Sequence, residues 1–341
     1  VNKVIEILTP EGAEHASVAI PRYTAEPSSF DVKVVDADNR PVNVDVDQVR
    51  EEYEDNGVVV VPNITAGCQV RIRATFVTLS PVGSFEHWFS RTIPVETGRF
   101  TFSSLHDFTY DVKSYGGSGP STKREAESGR HTYRIWTVED LLPRSRVDHQ
   151  ASVAEDQPRV ALALRRAFSR DVIATWADVA ESYENYALRR KRFSSSRLLN
   201  STVDSLTHGL TREREKAEAV LRWVQENLSA RGGVGERVDP DGVIESGQGT
   251  YWDITLVLGE MFERLGLRTD ILVTRGHSGG GFDPDFVHPA GVVIPLVTVK
   301  LEERTYVAFP FVRGGMLGEY PHDYFDLHGL SLRTERPHRL P

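Results

Sequence analysis

A chain of 341 residues is long for one hydrophobic core, so two domains are expected. Its 39% hydrophobic and 26% charged residues are the mixture of a soluble globular protein, and no run of about 18 apolar residues is present to span a membrane. A formal net charge of -9 leaves no basic excess to neutralise phosphates, which argues against a nucleic-acid partner. The chain begins at Val1 without a charged-then-apolar leader, as a mature form or a trimmed chain would. Its single cysteine, Cys68, rules out an internal disulfide. That scarcity fits an oxidising compartment and a cytosolic protein nearly equally.

Residues 1–165 read as all-β. Val4–Ile7, Val18–Arg22, Phe30–Val35, Val42–Val46 and Val58–Val61 are short strand candidates separated by turn chemistry. Residues 68–77 alternate, with Val70, Ile72, Ala74 and Phe76 on one face and Arg71, Arg73 and Thr75 on the other. Trp88–Val95, Arg99–Ser103, Phe108–Lys113 and His131–Trp136 continue the pattern, and strands this short and numerous predict a β-sandwich. Gly116–Gly119 lacks the Lys-Ser/Thr that a phosphate-cradling loop needs. Cys68 opens a strand and reads as core.

Residues 148–170 read as a polar connector with an apolar patch at Val160–Leu164. A helical connection is expected over 166–210. Its helix, Ala174 to Arg190, carries Trp176, Val179, Tyr183 and Tyr186 on one face and runs into the basic stretch Arg189–Phe193. That stretch reads as a solvated helix end favoured by the macrodipole rather than an anion site. Thr211–Ala230 is a further helix, with Ala217, Val220, Leu221, Val224 and Leu228 as its stripe. Residues 231–249 form a Gly-rich polar link, long enough to act as a lid or binding loop.

The organising stretch is Ser246–Arg275. Thr250 is placed to cap a helix with Asp253 answering it three residues on. Ile254, Val257, Leu258, Met261, Phe262 and Leu265 recur at helical spacing, Gly266 stops the helix, and a β-branched strand follows to Thr274. Two strands, Ile294–Leu301 and Thr305–Phe311, close the unit, and Gly314–Pro321 and the final Arg/His/Pro tail read as irregular.

The helix-Gly-strand unit, with Trp223–Leu228 before it, resembles the core of the transglutaminase-like (papain-like) superfamily. The order of pieces upstream is similar to the bacterial domain of unknown function that commonly precedes it: Ile7–Gly12, Asp36 to Val42, Ala66-Gly67 and Tyr133–Trp136. The resemblance implies a multidomain α+β protein: a β-sandwich over 1–165, a helical connection over 166–210 and a papain-like α+β domain over 211–341. It also implies the bacterial periplasm, cell surface or extracellular space, although a cytoplasmic location fits the composition.

Members of that superfamily usually carry Gly-Asp-Cys-x-Asp at the helix start. Counted back from Leu265-Gly266, the glycine is Gly249, the aspartate is Asp253, and the cysteine position holds Tyr251. The positions of the family's His and Asp fall on Pro295, give or take one residue, and Phe309. Acyl transfer through a thiol needs a thiolate, an imidazole and an orienting group, and all three are replaced. An unperturbed phenol, with a pKa near 10, is a poor substitute without a base.

The resemblance therefore implies a catalytically inactive module that binds a protein, peptide or cell-envelope ligand. Its cleft would be lined by Tyr251, Trp252 and Asp253, with His277 and His288 from the Gly-rich loop. No cofactor is expected. The alternative is a cysteine-independent acyl transferase or hydrolase built on His277 and His288. A metal could join it, because Asp283 and Asp285 lie in the same loop. A purely structural role, with the β module making the contacts, is the third reading.

Overall fold

The computed structural model describes residues 2–12, 18–19, 27–56, 58–62, 64–76, 83–89, 94–116, 121–142, 157–190, 196–230, 240–291 and 293–340. Expectations at 117–120, 143–156, 191–195 and 231–239 lie outside the described residues, as do the side chains of Tyr186, Arg189 and Arg190. The chain divides into two compact units, Val1–Val82 and Gly83–Pro341. The expected boundaries after residues 165 and 210 both fall inside the second.

The first unit contains β1 (Asn2–Glu6), β2 (Val18–Ala19), β3 (Pro27–Val35), β4 (Pro41–Val42), helix α1 (Val46–Asn56), β5 (Val58–Val59) and β6 (Gln69–Phe76). Four strands form an antiparallel sheet in the order β1-β6-β3-β4. The alternation in β6 sets its faces: Val70 and Ile72 are buried while Arg71 and Arg73 are exposed. Cys68 is buried, as expected.

Helix α1 corrects the all-β reading of this stretch. The Asp45 side chain accepts the Gln48 amide at 3.1 Å, an N-cap that turns the chain out of the expected Val42–Val46 strand. Val49 and Tyr53 then share one helical face and are buried, Tyr53 stacking on Phe30 of β3 at 5.6 Å.

The second unit opens with β7 (Ser84–Trp88), β8 (Val95–Leu105), β9 (Phe108–Tyr115), β10 (Ser121–Ser128), β11 (His131–Leu141), β12 (Arg159–Ala167) and β13 (Arg170–Asp171). One sheet runs β10-β11-β8; in the other, β12 pairs with β7, β9 and β13. Trp136 and Val138 from the first sheet and Tyr110, Val160, Leu162 and Leu164 from the second share one core, a sandwich built within 84–171 rather than over the expected 1–165. The apolar patch at Val160–Leu164 is thus a strand rather than part of a connector. Its run is continuous because both faces are buried: Val160, Leu162 and Leu164 face the sandwich core, while Ala161 and Ala163 pack against Phe286.

The rest of this unit comprises α2 (Trp176–Arg190), α3 (Arg197–Leu206), α4 (Glu213–Asn227), β14 (Ser229–Ala230), α5 (Pro240–Ser246), β15 (Gln248–Gly249), α6 (Tyr251–Arg264), β16 (Arg268–Thr274), β17 (Ile294–Leu301), β18 (Arg304–Ala308), β19 (His328–Ser331) and β20 (Arg336–Arg339). The five long strands form an antiparallel sheet in the order β18-β17-β16-β19-β20. Helix α6 packs on it through Ile254, Val257, Leu258, Met261 and Phe262, all fully buried, and the α4 stripe covers the same core. Gly266, at φ +78°, closes α6: its amide donates to Glu263 O and the Leu267 amide to Phe262 O, a Schellman ending. The final tail expected to be irregular instead supplies β20, which with β19 extends the sheet.

Candidate functional site

The start of α6 is built as its sequence implies. The Thr250 hydroxyl accepts the Asp253 amide at 3.2 Å, and the Asp253 carboxylate accepts the Thr250 amide at 2.9 Å. Asp253 is 1% exposed, so its charge is spent on this capping box and on the helix dipole, closed to any ligand. Gly249 fits close behind it; a Cβ there would lie 3.0 Å from the Asp253 Cβ.

Tyr251, the first helical residue, is 41% exposed and meets Phe311 edge-on, with ring centroids 4.7 Å apart. Phe309 contacts Tyr320 at 5.7 Å and Tyr324 at 5.3 Å. Burial pushes the Tyr324 phenol up to about 12, with Asp323 and Tyr251 adding to the effect. Pro295 lies in β17 against the same helix, and its carbonyl accepts the hydroxyl of buried Thr255 at 3.0 Å. Among the described residues, no histidine or carboxylate is hydrogen-bonded to the Tyr251 phenol.

Trp252 points the other way. It stacks on Tyr183 of α2 at 5.2 Å and is shared between the two hydrophobic clusters that flank α6. Gln225 of α4 is a contributor that sequence reasoning passed over. It is buried, and its Nε2 donates to Phe309 O at 3.0 Å and Gly315 O at 3.1 Å, fixing the backbone at the aromatic cluster. The Trp223–Leu228 pattern contains it, but a lone polar residue on a helix gives no hint of a partner 84 residues away.

The Gly-rich loop 276–291 departs most from expectation. It is packed against the sheet of β7, β9 and β12. Trp176 Nε1 donates to Pro284 O at 2.8 Å, Arg165 Nη2 to Val287 O at 2.8 Å, and Arg159 Nη2 to Gly280 O at 2.8 Å. Gly280 sits at φ +99°, and a Cβ there would lie 2.9 Å from both the Arg159 guanidinium and the Trp88 ring. Arg275, at the loop's base, makes a two-pronged ion pair with Glu86 at 2.7 and 2.8 Å.

Asp283 accepts from Tyr115 Oη at 2.7 Å and pairs with Lys113 at 2.5 Å. Burial works to raise its pKa, but these bonds outweigh burial and the net shift is downward. Burial also drives the Tyr115 phenol far up, with Asp283 adding to it.

The loop histidines are therefore apart and engaged. His277 Nε2 meets Phe325 O at 2.8 Å. His288 is buried, its Nε2 between Leu162 O at 3.1 Å and Phe85 O at 3.3 Å. Burial lowers the His288 pKa, Arg275 acting with it and Glu86 against. The loop expected to bring His277 and His288 to the cleft is instead anchored to the sandwich sheet. Asp283 is committed to Lys113 and Tyr115, and among the described residues no three His, Cys, Asp or Glu side chains converge as a metal-binding group.

A β-sandwich followed by a second sheet with a capped core helix packed on it defines a multidomain α+β protein. Residues 1–145 match the family described as Domain of Unknown Function with solved-structure structure (DUF3857). Over 97% of its length the chain shares the fold of a "putative protease" from Parabacteroides distasonis, at TM-score 0.64 and 16% identity. It spans 62% of that protein. A "putative cysteine protease" from Cytophaga hutchinsonii is matched over 70% of this chain and 80% of its own, at TM-score 0.31 and 10% identity. A TGase is matched over 58% of this chain and 46% of its own, at TM-score 0.24 and 13% identity. These last two likenesses carry no weight here. No curated protein matches the sequence.

Proposed function

We propose that this protein is a catalytically inactive transglutaminase-like module that binds a protein, peptide or cell-envelope ligand at the start of α6. The observation that carries the reading is Tyr251. Where the superfamily's nucleophile would stand, a half-exposed phenol rests edge-on against Phe311 and interacts electrostatically with Tyr324, which packs on Phe309. Aromatic rings offer large contact area at small entropic cost, which suits ligand capture. The competing enzyme reading depends on His277 and His288, yet His288 is buried with both carbonyl partners on the sandwich strands. An envelope or cell-surface location belongs to the same proposal, motivated by the superfamily resemblance and the single cysteine.

The test is binding by the intact chain to a displayed peptide library and to envelope extracts, compared with Tyr251→Ala. Loss of a reproducible partner with an unchanged melting temperature supports the cleft. Equal capture by the variant removes it. Fractionation of cells expressing the full gene product checks the location.

A further inference from the structure

Beneath loop 276–291 lies a small cavity of about 10 Å³ whose polar lining is Glu86, Tyr115, Arg159, Arg275, Asp283 and His288. His288 has 4% of its side chain exposed, and its ring faces this space. Nε2 lies between two backbone carbonyls, which only accept, so Nε2 carries the proton. Nδ1 is then an acceptor, buried, with no hydrogen-bond partner among the described residues.

The polar atom facing it across the space is Glu86 Oε1, at 3.9 Å. Glu86 already accepts both arms of Arg275, so it too offers lone pairs there. Two acceptors facing each other need a donor between them. Protonating Nδ1 would supply one, but burial and Arg275 both resist charging the ring. The remaining charged and titratable groups lining the space are Arg159 from β12, Tyr115 from β9 and Asp283 from the loop, the last paired with Lys113. A space of this size matches the volume of about 10–15 Å³ that one water requires. A single oxygen can lie about 2.8 Å from two acceptors 3.9 Å apart.

We infer that one ordered water occupies this cavity, donating one hydrogen to His288 Nδ1 and the other to Glu86 Oε1, and so fastens loop 276–291 to the sandwich sheet. The water makes the loop a fixed wall rather than a lid. It also leaves His288 no free nitrogen with which to act as a base. The inference is independent of any ligand bound at Tyr251.

The test uses the intact chain at pH 7.5. A crystal structure fine enough to show buried solvent should place one density peak within about 3.2 Å of both acceptors. Nitrogen-15 shifts should report a protonated Nε2 and a bare Nδ1. Nδ1 protonated and drawn directly onto Glu86 overturns the inference, as does a cavity without solvent density where other buried waters are visible. A solution readout needs no crystal: a long-lived water should give nuclear Overhauser contacts to the His288 ring. Gly291→Ala, whose Cβ would sit 3.3 Å from Nδ1, should abolish those contacts. Contacts absent in the parent, or unchanged in a folded variant, overturn it.

Discussion

Replacing Glu86 by Ala should be among the most damaging single changes in the second unit. Glu86 and Arg275 have side chains only 10% and 15% exposed, and both arms of the guanidinium are satisfied by the carboxylate. Removing the acid leaves a cation enclosed between the loop and the sheet. Breaking a buried pair from one side costs about 3–5 kcal/mol, because the orphaned charge keeps its desolvation penalty. Arg275 retains some access to water, so the lower end applies, about 3 kcal/mol. For a unit of this size each kcal/mol is worth roughly 2–4 °C, giving a fall of about 6–12 °C in melting temperature. Calorimetry and urea titration would measure it. The double variant Glu86→Leu/Arg275→Met, which removes both charges and keeps apolar bulk, should recover most of the loss, and the resulting cycle yields the coupling. A loss below about 1 kcal/mol for Glu86→Ala, the range of surface ion pairs, would refute the claim that the loop is anchored through a buried charge pair.

Three further outcomes follow from the same geometry. Because the folded state lowers the His288 pKa, the unfolded chain binds the proton more readily; the His288 contribution is fully present above the free imidazole pKa near 6.5 and is lost as pH falls through the lower folded value. Melting temperature should therefore decline on acidification below about pH 6.5, and His288→Gln should flatten that decline; parallel profiles would contradict it. Tyr251→Cys restores a thiol at a helix start but supplies neither imidazole nor carboxylate, so it should label with iodoacetamide yet turn over no ester or peptide substrate; turnover above background would mean a surrogate base exists. A chain starting at residue 166 would expose Arg275, Phe286 and His288, now covered by β7, β9 and β12, and should be insoluble where a chain starting at 83 is soluble; a soluble, cooperative 166–341 fragment would restore the expected boundary.

Much of the core could be read directly because its signals are local. Thr250 and Asp253 announce their capping box, Gly266 its Schellman turn, and the stripes of α4 and α6 their burial, all within one or two turns of chain. What escaped was set by distant partners. The run Val160–Leu164 lacks alternation because loop 276–291 covers its second face, a fact recorded more than 100 residues away. The loop itself reads as polar and flexible because Asp283, Arg275 and His288 look solvated until Lys113, Glu86 and Leu162 O are seen beside them. Helix α1 was locally encoded, by Asp45 and the Val49–Tyr53 pair, but lay among valines that favour strands.

The aromatic cluster admits two explanations, and exposure separates them. If rings merely fill the space where a catalytic constellation would sit, burial should be their common feature, since filler contributes only by excluding water and making contacts. Phe309, at 4% exposed, fits that role, and Tyr320 and Tyr324 pack around it. Tyr251 does not. With 41% of its surface in solvent it contributes little to the core, and an exposed ring at a helix start gains nothing in helix propensity over alanine. Trp252 beside it shows the contrast, because its ring is held between α2 and α6 and its role is structural. On the proposed reading, the half-exposed ring on a capped helix start, braced edge-on by Phe311, is pre-organised for contact with a ligand. Tyr251→Ala should therefore cost only the edge-on pair with Phe311, about 0.5–1.5 kcal/mol, whereas Phe309→Ala should cost about 3–5 kcal/mol. Equal losses for the two would return Tyr251 to the filler class and remove the main support for a binding cleft.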